Sequence, residues 1–188
     1  NKLRAELYSK LYYVKTHKKC DNIVKYEKYS KCEYGEFNNG FAIITDKKLS
    51  IPNNITDIIL CPTNYNNVDD IFTFYKSFNK KLWLYIPPFM SYNDLKLIDE
   101  YVNNFYGIYG ESYWCLEYAN AKNLKFFAGV GFNVFNSYDV YTLNCNNVKN
   151  ISISKELKAS EIANINFKPF ALTRGVVEIM DLIYCPFS

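Results

Sequence analysis

Histidine occurs once in this chain, as His17, and arginine twice, as Arg4 and Arg174. A lone imidazole in a polar stretch cannot supply the Ser-His or Cys-His pair of a nucleophilic hydrolase, or a His-based zinc set, at a site elsewhere in the fold. Hydrolysis would have to draw on carboxylates, a lysine, or residues from outside these 188. The six cysteines, at 20, 32, 61, 115, 145 and 185, form no Cys-x-x-Cys pair and no tight cluster, so a secreted disulfide framework is not expected. Cys61 and Cys115 lie within or beside apolar segments, where reduced thiols pack as small hydrophobes. No apolar run approaches the roughly 20 residues of a membrane span, and the opening Asn1-Lys2-Leu3-Arg4-Ala5-Glu6 lacks the apolar centre of a signal peptide. A soluble, cytoplasmic chain with no membrane partner is the expectation.

Tyrosine and phenylalanine, in contrast, number 18 and 14, and lysine and asparagine are abundant. Asn, Lys, Tyr, Ile and Phe share AT-rich codons, which accounts for the bias more simply than selection for a nucleic-acid surface. A net charge of +3, with lysines spread along the chain, is too small to require a polyanion. A basic face assembled by folding would still admit RNA as a partner beside peptide. At 188 residues one domain with a substantial core is the default.

The stretch Lys125 to Glu156 sets the pattern for the rest. An apolar run, Phe126-Phe127-Ala128-Gly129, enters the turn Val130 to Asn136, a helical segment Ser137 to Leu143 follows, and a second apolar run stands at Ile151-Ser152-Ile153-Ser154. A connection this long suits two parallel strands joined by a crossover helix, since a hairpin needs only a few residues. Similar runs recur at Phe41–Thr45, Ile58–Cys61, Leu82–Ile86, Gly107–Tyr109 and Phe170–Thr173, about 19 to 25 residues apart. Helical spacing fills most gaps, as in Val68-Ile71-Phe72-Tyr75-Phe78 and Leu95-Ile98-Val102-Phe105, with Tyr113 to Ala119 a third instance. Continuous apolar runs mark strands buried on both faces. The fold class is therefore α/β, a mainly parallel sheet of β/α units forming a partial or irregular TIM-like barrel of at most seven strands. A doubly wound open sheet is the alternative.

Residues 1–40 read as a preceding element. Leu3, Leu7, Leu11 and Val14 make an amphipathic helix, and a polar connection follows with room for a short strand at 31–37. Opening on a helix without an initiator Met, the chain reads as part of something longer, with the β/α domain spanning 41–188. Asn136 with Asp139 three residues on, and Asp94, sit where helix starts need caps and negative charge.

In parallel α/β folds, sites gather where strands end. Here that edge collects Pro87-Pro88-Phe89, Gly110-Glu111-Ser112, Gly131-Phe132-Asn133, Ser154-Lys155-Glu156 and Thr173-Arg174-Gly175. Glu111 and Glu156 are the candidate catalytic carboxylates. Asn133, Asn136 and Arg174 are the candidate substrate-binding residues, Arg174 as a clamp for carboxylate or phosphate. The plainer account makes the two glutamates solvated or helix-capping acids, and Arg174 an ion pair closing the sheet. Gly129-Val130-Gly131 lacks the third glycine of a dinucleotide fingerprint, Val134 holding that place, so a tight turn explains it better. Cys185, just past the last run and followed by Pro186, is the candidate metal ligand, because iron–sulfur thiolates often come from such loops; its alternative is a buried thiol. A cluster needs further cysteines, which would have to follow Ser188.

Taken in order, Phe132-Asn133-Val134-Phe135-Asn136-Ser137, Ser152-Ile153-Ser154-Lys155-Glu156-Leu157, Ser160-Glu161-Ile162, Thr173-Arg174-Gly175 and Tyr184-Cys185-Pro186 resemble the collagenase-like peptidases of unknown catalytic type, the family numbered thirty-two in the U class. The resemblance covers Lys80 to Ser188 well and the rest loosely. Asn1 to Glu6 looks like the helix before the second barrel-like region of the long bacterial members. It implies a barrel-like fold and a peptidase, hence hydrolase, activity. It also implies a second reading, because relatives include iron–sulfur proteins of oxygen-independent hydroxylation of RNA or quinone precursors, and Cys185 matches by position the first cysteine of their set. The chain departs from the family where Gly175 is followed by Val176-Val177-Glu178 instead of Arg-Leu-Pro, and it lacks the peptidase signature of a Glu and paired cysteines around His-Gly. A third reading is a scaffold that binds a partner without chemistry.

Overall fold

The computed structural model describes Glu6, residues 40–165 and residues 167–175. The expected amphipathic helix, the polar connection with its short strand, His17 and Cys185 lie outside the described residues. Six strands, β1 (Phe41–Thr45), β2 (Ile55–Leu60), β3 (Lys81–Ile86), β4 (Gly107–Gly110), β5 (Lys125–Ala128) and β6 (Asn150–Ile151), make one sheet with every pair parallel. The helices α1 (Val68–Lys76), α2 (Tyr92–Tyr101), α3 (Tyr113–Ala121) and α4 (Ser137–Cys145) fill the gaps from β2 to β6, and a short α5 (Ala159–Ile162) follows.

Strand order is β1-β2-β3-β4-β5-β6 without reversal. A doubly wound sheet would reverse at a switch point and carry helices on both faces. Sequential order with crossovers of one hand instead puts the helices on one side. The sheet curls into half of a TIM-like barrel. Ile58, Leu60, Leu82, Leu84, Ile86, Ile108 and Phe126 share one core with the helix residues Val68, Tyr75, Ile98, Leu116, Val140 and Leu143. A fully buried Leu, Ile or Val contributes about 1.5–3 kcal/mol relative to exposure, so this face carries most of the fold's stability.

The last expected strand is much reduced. Phe170 makes a single parallel bridge to Ser152, while Ile153 bridges Val134 beyond the end of β6. Pro169 brings no N–H to a ladder, and Gly175, at φ 153°, turns the chain through a conformation other residues resist.

Local signals fix the boundaries. The Asn136 side chain accepts from the backbone N–H of Tyr138 and Asp139, and the Asp139 carboxylate accepts from those of Phe135 and Asn136, a complete capping box opening α4. Ser91 caps α2 through the Asp94 amide. The ends are closed by asparagine: Asn79, Asn123, Asn133 and Asn147 stand at φ 52°, 54°, 49° and 60°. Each lies just past a helix or 3₁₀ turn, where left-handed backbone usually calls for glycine. The abundant asparagine thus does structural work in a chain with only 7 glycines.

Candidate functional site

Alternation along the strands sends Ile59, Trp83, Tyr109 and Phe127 to the concave face, where they pack together with Ala42, Tyr85, Tyr106 and Phe170. The rings interlock. Phe127 meets Trp83 edge-on with centroids 5.4 Å apart, Tyr109 at 5.2 Å and Phe170 at 4.7 Å, while Tyr85 stacks on Tyr109 at 5.7 Å. Such pairs add about 0.5–1.5 kcal/mol each beyond burial. Gly107 makes the room: a Cβ there would lie 2.6 Å from the Trp83 ring.

Two polar arrangements are built into this face. Asp57, fully buried, accepts from Trp83 Nε1 at 2.8 Å and from Thr56 Oγ1 at 2.6 Å, so both carboxylate oxygens are held by neutral donors. Nearer the strand ends, the buried Tyr109 hydroxyl donates to Glu111 Oε1 at 3.3 Å. Burial, reinforced by the Glu111 charge, pushes the Tyr109 phenol well above its ordinary value.

The Gly129-Val130-Gly131 turn follows from the same arrangement. A Cβ on Gly129 would come within 2.6 Å of the Tyr109 hydroxyl, and one on Gly131 within 2.7 Å of the Glu111 backbone oxygen and Cβ. Val130–Phe132 does form a tight 3₁₀ turn. Yet Gly129, at φ −77°, has ordinary backbone, so the close approach to Tyr109 and Glu111 is what requires glycine.

Between β1 and residues 168–175 lies a cavity of about 570 Å³. Its floor is Ile59, Tyr109 and Phe127, and its walls are Ala42, Ile44, Phe170 and Leu172. Lys168, Thr173 and Arg174 supply polar groups, with Ser152 buried beside Phe170. The volume falls in the range of ligand pockets.

Of the residues singled out in the sequence, Arg174 lines this cavity and is exposed. Neither ion pair among the described residues, Lys48–Asp70 or Lys122–Asp99, includes it, so it does not close the sheet electrostatically among those residues. Glu111 is half-buried next to the cavity, joined to it through Tyr109. Glu156 is exposed in the turn after Ser154 and does not line the cavity. Asn133 and Asn136 are exposed and also outside the lining, the first as a left-handed turn residue and the second as the α4 cap. Arg174 and Glu111 are thus neighbours of one cavity, and the other three are set apart from it.

Sequence reasoning passed over Tyr109, Asp57 and Trp83. Asp57 was the detectable one, a charge inside the apolar run Ile55-Thr56-Asp57-Ile58-Ile59-Leu60, the kind of local inconsistency that marks a built site. Cys115 is buried, its thiol pushed up by burial and 3.2 Å from Ser112 Oγ, while Cys61 is half-buried. Among the described residues no group of three or more His, Cys, Asp or Glu side chains is placed to hold a metal ion, and no helix is long and apolar enough to cross a membrane. Comparison of the chain with family models, with curated proteins and with solved structures gives no match in any of the three.

Proposed function

We propose that the concave face of the half-barrel receives an extended segment of polypeptide, and that the chain is the substrate-binding part of a collagenase-like peptidase-family protein. The observation that carries this reading is the cavity between β1 and residues 168–175, with its apolar floor and Arg174 in its lining. An extended chain projects its side chains alternately, so one laid in such a trough would reach it with every second residue. Mapping a bound peptide on the isotopically labelled chain tests it. Amide shifts should concentrate at Ile44, Phe127 and Phe170; shifts confined to the helix-covered face, or no binding from a diverse peptide library, would sink the idea.

Hydrolysis is the second reading, favoured by Glu111 at the end of β4 with its carboxylate oriented by Tyr109. A carboxylate in that position serves as general base toward water. Mass spectrometry of the bound peptide after incubation should then show cleavage that Glu111→Gln abolishes. Cleavage that survives Glu111→Gln would remove Glu111 from the chemistry.

A further inference from the structure

The charge around this cavity is one-sided. Lys168 and Arg174 line it and are exposed, and among the described residues no carboxylate belongs to the lining. Neither cation takes part in the ion pairs of the described residues. The two acids nearest in the fold are otherwise engaged: Asp57 is buried beneath with Trp83 and Thr56, and Glu111 stands behind Tyr109. An apolar trough bordered by two cations that no described carboxylate neutralises is complementary to an apolar ligand that carries negative charge.

We infer that the occupant is an acidic stretch of polypeptide, whose Asp or Glu carboxylate pairs with Arg174 and Lys168 while flanking apolar side chains rest on Ile59, Phe127 and Phe170. The inference rests on the polypeptide-binding reading and adds the charge of the ligand. Guanidinium offers a carboxylate two parallel hydrogen bonds, in a geometry a point charge does not provide. RNA shares the negative charge but fits less well. The floor aromatics spend their faces and edges on one another, as the Phe127 contacts with Trp83, Tyr109 and Phe170 show, and the one exposed aromatic of the described lining, Phe41, offers a single ring where a base-stacking strand needs a succession of them.

Titration calorimetry on the full 188-residue chain separates the possibilities. Three probes are compared: a peptide alternating Glu with Val and Phe, its Gln counterpart with an amidated C-terminus, and a single-stranded oligouridylate. The acidic peptide should bind about fivefold to tenfold more tightly than the neutral one at low salt. The advantage should fade in ~0.5 M NaCl, where the screening length falls to a few ångströms. Arg174→Gln with Lys168→Gln should erase the advantage, bringing the acidic peptide's affinity to that of its neutral counterpart in the same variant. Equal affinity for both peptides overturns the charge assignment while the groove reading stands, and binding of neither peptide overturns both. Preference for the oligouridylate overturns the inference in favour of nucleic acid. An acidic preference that persists in the double variant removes Arg174 and Lys168 from the recognition.

Discussion

The two faces of the sheet use alternate residues of the same strands and end up with opposite characters. The helix-covered face is apolar along β3, where Leu82, Leu84 and Ile86 all enter the main core. The concave face interleaves polar groups with its aromatics: Asp57 under Trp83, Tyr109 with Glu111, and Ser152 beside Phe170. Where helices close a face completely, an unpaired polar group costs roughly 1–3 kcal/mol and serves nothing. Where the face opens onto a cavity, polar groups can be held ready for a ligand. On the proposed reading, stability and recognition are divided between residues i and i+1 of single strands.

The sharpest way to break this division is to weaken one face at a time. Leu84→Ala, at a fully buried position, should cost about 2–5 kcal/mol in denaturant unfolding and leave peptide affinity per folded molecule unchanged. Ile44→Ala, at a cavity wall 47% exposed, should do the reverse, changing stability by under ~1 kcal/mol while weakening the peptide. If Leu84→Ala alters affinity as much as Ile44→Ala does, the faces are not separable.

Trp83→Phe probes the concave side's own contribution to stability. It keeps an aromatic ring but removes the donor to Asp57 Oδ1, leaving a buried carboxylate held by Thr56 Oγ1 at 2.6 Å. A loss of about 2 kcal/mol is expected by thermal or urea unfolding. Asp57→Asn, which retains an acceptor for the indole, should cost distinctly less. Equal costs would mean that packing of the ring, and not the hydrogen bond, is what the site needs.

How far these features could be read from the sequence follows from their range. Strands at Phe41–Thr45 and Leu82–Ile86, the α4 cap at Asn136 and the parallel arrangement were legible because each depends on a short window: an apolar run, a capping pair, a connection length. Sequential strand order without reversal was only one of two alternatives, since crossover length does not say which side of a strand the next one takes. The site was legible by position and not by contact. Arg174 and Glu111 are at strand ends as expected, but Glu156 shares that edge without lining the cavity. Tyr109 was invisible as a polar group because its setting, with Glu111 as partner and the β5–α4 turn against both, depends on how β4 and that turn approach. The glycines at 129 and 131 mark that approach, and in sequence they resemble an ordinary turn.

Tyr109 also supplies the smallest effect, and one with a definite sign. Its phenol holds its proton above the ordinary value of about 10 because it is buried and faces the Glu111 charge. Above pH ~10 the unfolded chain therefore releases a proton that the folded chain keeps. The unfolded state binds fewer protons there, so stability is fully present below that pH and falls as pH rises, by up to about 1.4 kcal/mol per pH unit for each such group. Tyr65 is raised in the same direction, chiefly by burial, so the decline should exceed that of one group. Tyr109→Phe should cost about 1 kcal/mol at neutral pH, because Glu111 loses its phenol donor, and should then make the alkaline decline shallower than in the parent. Urea unfolding at steps from pH 8 to pH 11 measures both quantities in one series. A decline of unchanged slope would show that Tyr109 ionises as readily folded as unfolded, and that its hydrogen bond to Glu111 does not hold the concave face together.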